Sequence, residues 1–300
     1  VKDAEAIRKN LIQDEPWSIL GQSFGGFCAV NYLSFYSSGL KEVFITGGIP
    51  PLSAHPDDIY KRTYSRVKRK NEAFFKAFPQ AQERAGKIAN IIRDTKPTLL
   101  SGETLTIERF QLLGLQLGFS DGYANLNYLF ENAMSDNELS YIFKKSLMGF
   151  QAYDTNPFFT VLHEACYAQQ FSTQWSAEKI RGEFPEFDSN SRDPFLFTGE
   201  MLYPWMMDQF STLPPLKEAA NILAEKTDWP MLYDQKQLEK NSIPVAAAVY
   251  TNDMYVDRHY SLETGQSING IKIWETDDYE HNGLRSHGEK ILLNLFELLD

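Results

Sequence analysis

In this 300-residue chain, Gly21-Gln22-Ser23-Phe24-Gly25-Gly26 is the stretch whose residue types and spacing most directly permit chemistry. Its serine has glycine two positions away on each side. It lies between a short apolar run (17–20) and a helical pattern (24–36), which is the arrangement of a nucleophile elbow. Such a turn is so tight that flanking residues must lack bulk. The Ser23 hydroxyl then projects from the sheet edge, and the Phe24 N–H points to where an oxyanion forms. A serine of this kind needs a base and an orienting carboxylate, in the chain order serine, acid, histidine.

Five histidines are few enough for elimination. His55 follows the second strand pattern, and His163 lies inside a helical block. His259 sits just behind a strand pattern ending at Tyr250, where the acid belongs, and His287 falls in the closing helix. His281 occupies a polar loop after a strand pattern (271–275) and before the last helix, the place for a base over the serine. The acid belongs in the turn after the preceding strand. Asp253, three residues past Tyr250, is preferred. Asp257, four residues further on, competes, although an Asp there ordinarily caps the following helix.

These residues need a scaffold, and the patterning supplies one. Val1, Ala4, Ile7 and Leu11 share a helical face, and Pro16 closes that segment. Strand patterns follow at 17–20 and 42–46 with a helix between them, the signature of a parallel sheet covered by helices. From about 52 to 212 the pattern is helical (66–78, 81–93, 106–118, 123–134, 138–150, 157–169), with no convincing strand and no repeat. A helix at 216–226, a strand at 244–250, a helix near 258–266, a strand at 271–275 and a helix at 287–299 complete the chain. The expected organisation is an α/β core in two parts, 1–51 and 213–300, with a helical cap, 52–212, inserted between two strands.

Composition narrows the partners. The chain is 43% hydrophobic, 23% charged and 14% aromatic, which is globular. Its 29 basic and 40 acidic residues give a net charge of −11. That field repels phosphate backbones and anionic lipid, so nucleic acid and acidic membranes are not expected partners. The longest near-continuous apolar run, 243–250, is far short of the roughly 20 residues of a membrane span. Cys28 and Cys166 make no disulfide framework and read as buried thiols in a reducing cytoplasm. The charged N-terminal residues show no signal-peptide pattern.

Longer motifs carry a resemblance. Gly-Gln-Ser-Phe-Gly-Gly-Phe-Cys-Ala-Val-Asn-Tyr-Leu-Ser-Phe (21–35) and Glu-Val-Phe-Ile-Thr-Gly-Gly-Ile-Pro-Pro-Leu (42–52) resemble the proline iminopeptidase (prolyl aminopeptidase) family of α/β-hydrolases. So do Pro-Val-Ala-Ala-Ala-Val-Tyr-Thr-Asn-Asp-Met-Tyr-Val-Asp (244–257) and Asp-Tyr-Glu-His-Asn-Gly-Leu-Arg (278–285). The resemblance covers most of the chain. It implies a cytoplasmic serine peptidase acting on peptides with a free N-terminal proline, without metal or cofactor. It maps the catalytic triad onto Ser23, Asp253 and His281. It also implies cap carboxylates that hold the substrate amine, and Glu164 (in 162–169) and Glu200 (in 198–205) match. Prolinium has two N–H donors, which two carboxylates satisfy.

The chain departs from the family pattern in opening one helix before the elbow strand, without the preceding strands or the His-Gly-Gly-Pro-like loop that supplies a second oxyanion donor. The expectation is therefore a longer protein of which this chain is part. Two other readings stand beside this one: an esterase or lipase of the same fold, which shares the triad, and a non-catalytic hydrolase-like binding protein, against which the intact serine, aspartate and histidine in order argue. Paired cap glutamates separate the first of these from a peptidase, because a pocket for neutral acyl chains has no use for two buried anions.

Overall fold

The computed structural model describes residues 1–191 and 195–300. Val1–Ala54 with Pro230–Asp300 form one compact unit, and His55–Trp229 form a second.

The first unit is built on a four-stranded, all-parallel sheet in the order Trp17–Gln22, Leu40–Thr46, Val245–Tyr250, Ile271–Thr276. Side chains alternate between its faces. Val43, Ile45, Val245, Ala247 and Val249 join Ala29, Val30 and Leu33 of helix Phe24–Phe35 in one core. On the opposite face Phe44, Ala246, Ala248 and Tyr250 meet Ile291 and Leu295 of helix Gly283–Glu297. A sheet covered on both sides needs apolar residues at every position, which is why Val245–Tyr250 is buried throughout and reads as a continuous apolar run.

The register sets the strand ends level. Gln22 pairs with Thr46, Thr46 with Ala248, and Tyr250 with Thr276. The ladder continues past the strands through Ser23 N–H to Thr46 O (3.0 Å) and Thr251 N–H to Thr276 O (2.9 Å). The loops carrying Ser23, Asp253 and His281 therefore leave one sheet edge, the carboxyl ends, where open α/β sheets bind ligands. A parallel sheet with helices on both faces, a strand–serine–helix turn and an insertion between the second and third strands is the α/β-hydrolase arrangement.

Helix Lys2–Ile12 corrects an expectation. Ile7 and Leu11, assigned from spacing to the buried face, are exposed, whereas Glu5 and Arg8 are buried. The Glu5 carboxylate accepts from Arg8 Nε (2.9 Å) and Nη2 (2.8 Å) and from the Tyr32 hydroxyl (2.6 Å), so a polar network fixes the helix's rotation. These bonds, Arg8's first, hold the Glu5 carboxyl at about 2 instead of 4.5. Burial, with Glu5 adding to it, pushes the Tyr32 phenol up to about 12. A depressed carboxyl stabilises fully above its unfolded pKa and loses that contribution as pH falls through its folded value. Between roughly pH 4.5 and 2, the melting temperature of the parent protein is expected to fall more steeply than that of Glu5→Gln, whose stability is already lower at neutral pH. Parallel profiles would assign the network no role in stability.

The second unit is helical around an aromatic core. Phe130 stacks on Phe197 (5.5 Å between centroids) and Phe110 on Phe195 (5.2 Å). Helix Pro56–Ala77 starts a full ten residues before the predicted segment because His55 caps it and Pro56 takes its first position, where no N–H is needed. The predicted helices 123–134 and 138–150 are shorter, Gly122–Glu131 and Tyr141–Phe150. Between them Met134–Ser135 and Glu138–Leu139 form a small hairpin, turning on Asp136 (φ 48°) and Asn137 (φ 66°), residues that tolerate positive φ. Helix Lys217–Glu225, assigned from sequence to the returning core, belongs to this unit. It is tied there by Gln174 N–H to Ala224 O (2.9 Å) and Trp175 Nε1 to Asn221 Oδ1 (3.0 Å). Among the described residues no helix is long and apolar enough to cross a membrane.

Candidate active site

Ser23 follows strand Trp17–Gln22 directly and precedes helix Phe24–Phe35, with φ 55° and ψ −123°. A non-glycine residue there carries strain of about 1–3 kcal/mol. Ser23 N–H to Thr46 O (3.0 Å) and Gly26 N–H to Ser23 O (2.8 Å) hold it in place. The steric demand differs from that expected of the motif. A Cβ on Gly21 would lie 2.3 Å from the Gly25 carbonyl oxygen, and one on Gly26 2.3 Å from that of Gly48, whereas one on Gly25 meets nothing within 4 Å. The glycine the backbone requires after the serine is thus Gly26, where the motif's spacing points to Gly25. Gly26→Ala is expected to destabilise by about 1–3 kcal/mol through overpacking and to displace Ser23, while Gly25→Ala leaves the denaturation midpoint nearly unchanged. Equal midpoints for the two variants would remove this account of the turn.

Asp253, 1% exposed, lies in the loop after strand Val245–Tyr250. Its Oδ1 accepts from the backbone N–H groups of Tyr255 (2.8 Å) and Val256 (3.1 Å), which leaves Oδ2 facing His281. His281, 6% exposed, sits between strand Ile271–Thr276 and helix Gly283–Glu297, with Nδ1 2.7 Å from Asp253 Oδ2 and Nε2 2.9 Å from Ser23 Oγ. A carboxylate accepts only, so Nδ1 carries the proton and donates. Nε2 then has a free lone pair, and the Ser23 hydroxyl donates to it. Two contacts that sequence gave no sign of support the histidine. The Gln22 amide Nε2 donates to the His281 carbonyl (3.4 Å), and the Tyr255 ring packs against the imidazole, tilted by 40° with centroids 4.4 Å apart.

The competing residues are placed elsewhere. Asp257 is the N-cap of helix Arg258–Ser267 and accepts from His259 N–H at 2.9 Å. His55 caps helix Pro56–Ala77 through Nδ1, which accepts from Asp57 N–H at 3.2 Å. His259 is exposed on its helix, 3.8 Å from Glu263. His287 marks a break in the closing helix, which begins a turn earlier than predicted, at Gly283. His163 is packed against Phe159 (5.0 Å between centroids), and burial pushes its pKa down. Phe24 holds the first helical position, where its N–H has no intrahelical acceptor and the helix dipole is positive.

In the second unit Glu164 is buried, and Glu200 is partly buried. Glu164 Oε1 accepts from Ala177 N–H (2.9 Å) and Oε2 from Ser176 N–H (3.1 Å), so the carboxylate caps helix Ser176–Arg181 from a distance. Burial nevertheless raises its pKa. Both carboxylates act on the same two groups. After burial itself, Glu164 and Glu200 each help push the Tyr60 phenol and the Cys166 thiol well up.

Known proteins resemble this chain along nearly its whole length. It is 47% identical over 298 residues to the proline iminopeptidase of Aeromonas sobria, a match spanning 99% of this chain and 70% of that protein. The chain belongs to the proline iminopeptidase family. A second relative in the family, proline iminopeptidase aneH of Aspergillus aculeatus, is 33% identical over 310 residues, spanning 99% of this chain and 68% of its own length. A proline iminopeptidase of Thermoplasma volcanium matches at 39% identity over 49 residues, 16% of this chain and 17% of that protein. No family model matches. Among solved structures the chain is similar to a bromoperoxidase of Bacillus anthracis (15% identity, TM-score 0.40, 99% of this chain and 71% of that one). It is also similar to an α/β hydrolase from a Medee basin deep-sea metagenome library (10% identity, TM-score 0.38, 99% and 69%).

Proposed function

We propose that the chain is a serine aminopeptidase that releases N-terminal proline from peptides through an acyl-enzyme. Ser23 is the nucleophile, His281 the base and then the acid, Asp253 the orienting carboxylate, and Phe24 N–H an oxyanion donor. One observation carries the reading: the unbroken Ser23–His281–Asp253 hydrogen-bond chain on the strand ends of a proline iminopeptidase relative.

The steps follow from the proton positions. Ser23 Oγ attacks the carbonyl carbon of the N-terminal prolyl residue while Nε2 takes its proton, and the new imidazolium is stabilised by Asp253. Negative charge gathers on the former carbonyl oxygen, which the Phe24 N–H meets at a helix N-terminus. His281 returns the proton to the departing amine, and the shortened peptide leaves. Water then attacks the prolyl ester by the same base, freeing proline and Ser23. Glu164 and Glu200 supply the charge that receives the prolinium. Two free thiols, Cys28 and Cys166, suit work in a reducing cytoplasm.

The test is direct. A fluorophosphonate should label Ser23 alone, and a proline chromogenic amide should be turned over by the parent protein and not by Ser23→Ala. Labelling at another serine, or unchanged turnover in Ser23→Ala, would overturn the assignment.

A further inference from the structure

We propose that Tyr255 is a positioning residue for His281, its ring holding the imidazole in line with Ser23 and favouring the imidazolium formed during proton transfer. The inference rests on the triad reading above and adds a group to it.

Tyr255 touches both partners of the serine. Its backbone N–H donates to Asp253 Oδ1 at 2.8 Å, and its ring packs on His281 at 4.4 Å between centroids with a 40° interplanar angle. Both residues are buried. The Asp253 carboxylate meets the imidazole at Nδ1, the Ser23 hydroxyl meets it at Nε2, and the Tyr255 ring packs against it at a tilt. The two hydrogen bonds lie in the imidazole plane, so they leave tilting about the Nδ1–Nε2 line unopposed. The tyrosine face opposes that motion. An aromatic face is also negative, and it attracts a cation within about 6 Å, more strongly where water is excluded. The neutral imidazole gains little from this and the imidazolium gains much. The ring therefore acts when Nε2 carries the serine's proton, which is when the barrier is crossed.

Substitution isolates the ring, since any residue but proline at 255 keeps the N–H that Asp253 needs. Tyr255→Leu removes the π face while keeping apolar bulk. It is expected to lower kcat on a proline chromogenic amide roughly ten- to thirty-fold with KM little changed. The acid limb of the kcat/KM–pH profile should also move to lower pH, because the imidazolium has lost a stabilising partner. Tyr255→Phe keeps the face and should rescue both. A pentafluorophenylalanine at 255 keeps the shape with a reversed quadrupole. It should behave like Tyr255→Leu, and it tests the idea even if the leucine variant fails to fold.

A fall in rate with an unmoved acid limb in both the leucine and fluorinated proteins would reduce Tyr255 to packing and overturn the proposal. So would equal losses in Tyr255→Phe and Tyr255→Leu. The triad reading is judged separately, by whether the parent protein turns over the amide and Ser23→Ala does not.

Discussion

Asp253→Asn is expected to lower kcat by roughly 10⁴-fold, and the geometry dictates the direction. Two backbone donors, Tyr255 N–H and Val256 N–H, converge on Oδ1. They need an oxygen there, so the amide oxygen of an asparagine takes that place and its nitrogen falls at the Oδ2 position against His281 Nδ1. An NH2 group donates, so Nδ1 must become the acceptor. The imidazole proton moves to Nε2, which then points a hydrogen at Ser23 in place of a lone pair. The side chain keeps its shape and the base is lost. Steady-state turnover of a proline chromogenic amide measures the effect. Asp257→Ala is the matched control: it removes a helix cap, costing about 1 kcal/mol of stability, with kcat unchanged. A larger rate loss at Asp257 than at Asp253 would move the orienting role to the helix cap and break the assignment.

The contrast between these aspartates shows what was legible in sequence. Strand ends announce themselves through apolar runs and the turns that stop them, so Ser23, Asp253 and His281 were traceable as residues following three strands of one parallel sheet. That sheet is the observed one, with three of the runs extended by a residue or two and the 244–250 run starting one residue later. The signals that failed depend on what meets what across the chain. Gly26 approaches Gly48, a residue on another strand's loop, so no spacing rule marks it above Gly25. Ile7 and Leu11 have the right period for a buried face, yet Glu5 and Arg8 are the residues turned inward, because Tyr32 supplies Glu5 with a partner 27 positions along the chain. Tyr255 has no sequence signature at all. Its importance arises only once the loop after Val245–Tyr250 folds over the loop bearing His281. Local order is written in period and punctuation, whereas close approach is written in the assembled sheet.

Specificity for a charged amino end gives the second large effect. If Glu164 and Glu200 receive the prolinium, an N-acetylated proline amide is expected to be rejected steeply, because it brings neither the charge nor the N–H donors that the carboxylates would bind. The two glutamates are not equivalent probes. Glu164 already accepts Ser176 N–H and Ala177 N–H on its two oxygens. A glutamine there turns a donor toward one of these donors and loosens helix Ser176–Arg181, mixing recognition with stability. Glu200 makes no such bond among the described residues, so Glu200→Gln removes charge with the least disturbance. Loss of a charge-assisted hydrogen bond is worth about 2–3 kcal/mol, so kcat/KM on proline amide should fall roughly 30- to 150-fold. A small neutral ester should be hydrolysed almost as before, because it needs only Ser23, His281 and Asp253. If the amide and the ester fall together, Glu200 holds the fold and not the substrate. If neither falls, another group receives the amine, and the role of the paired carboxylates fails while the triad stands.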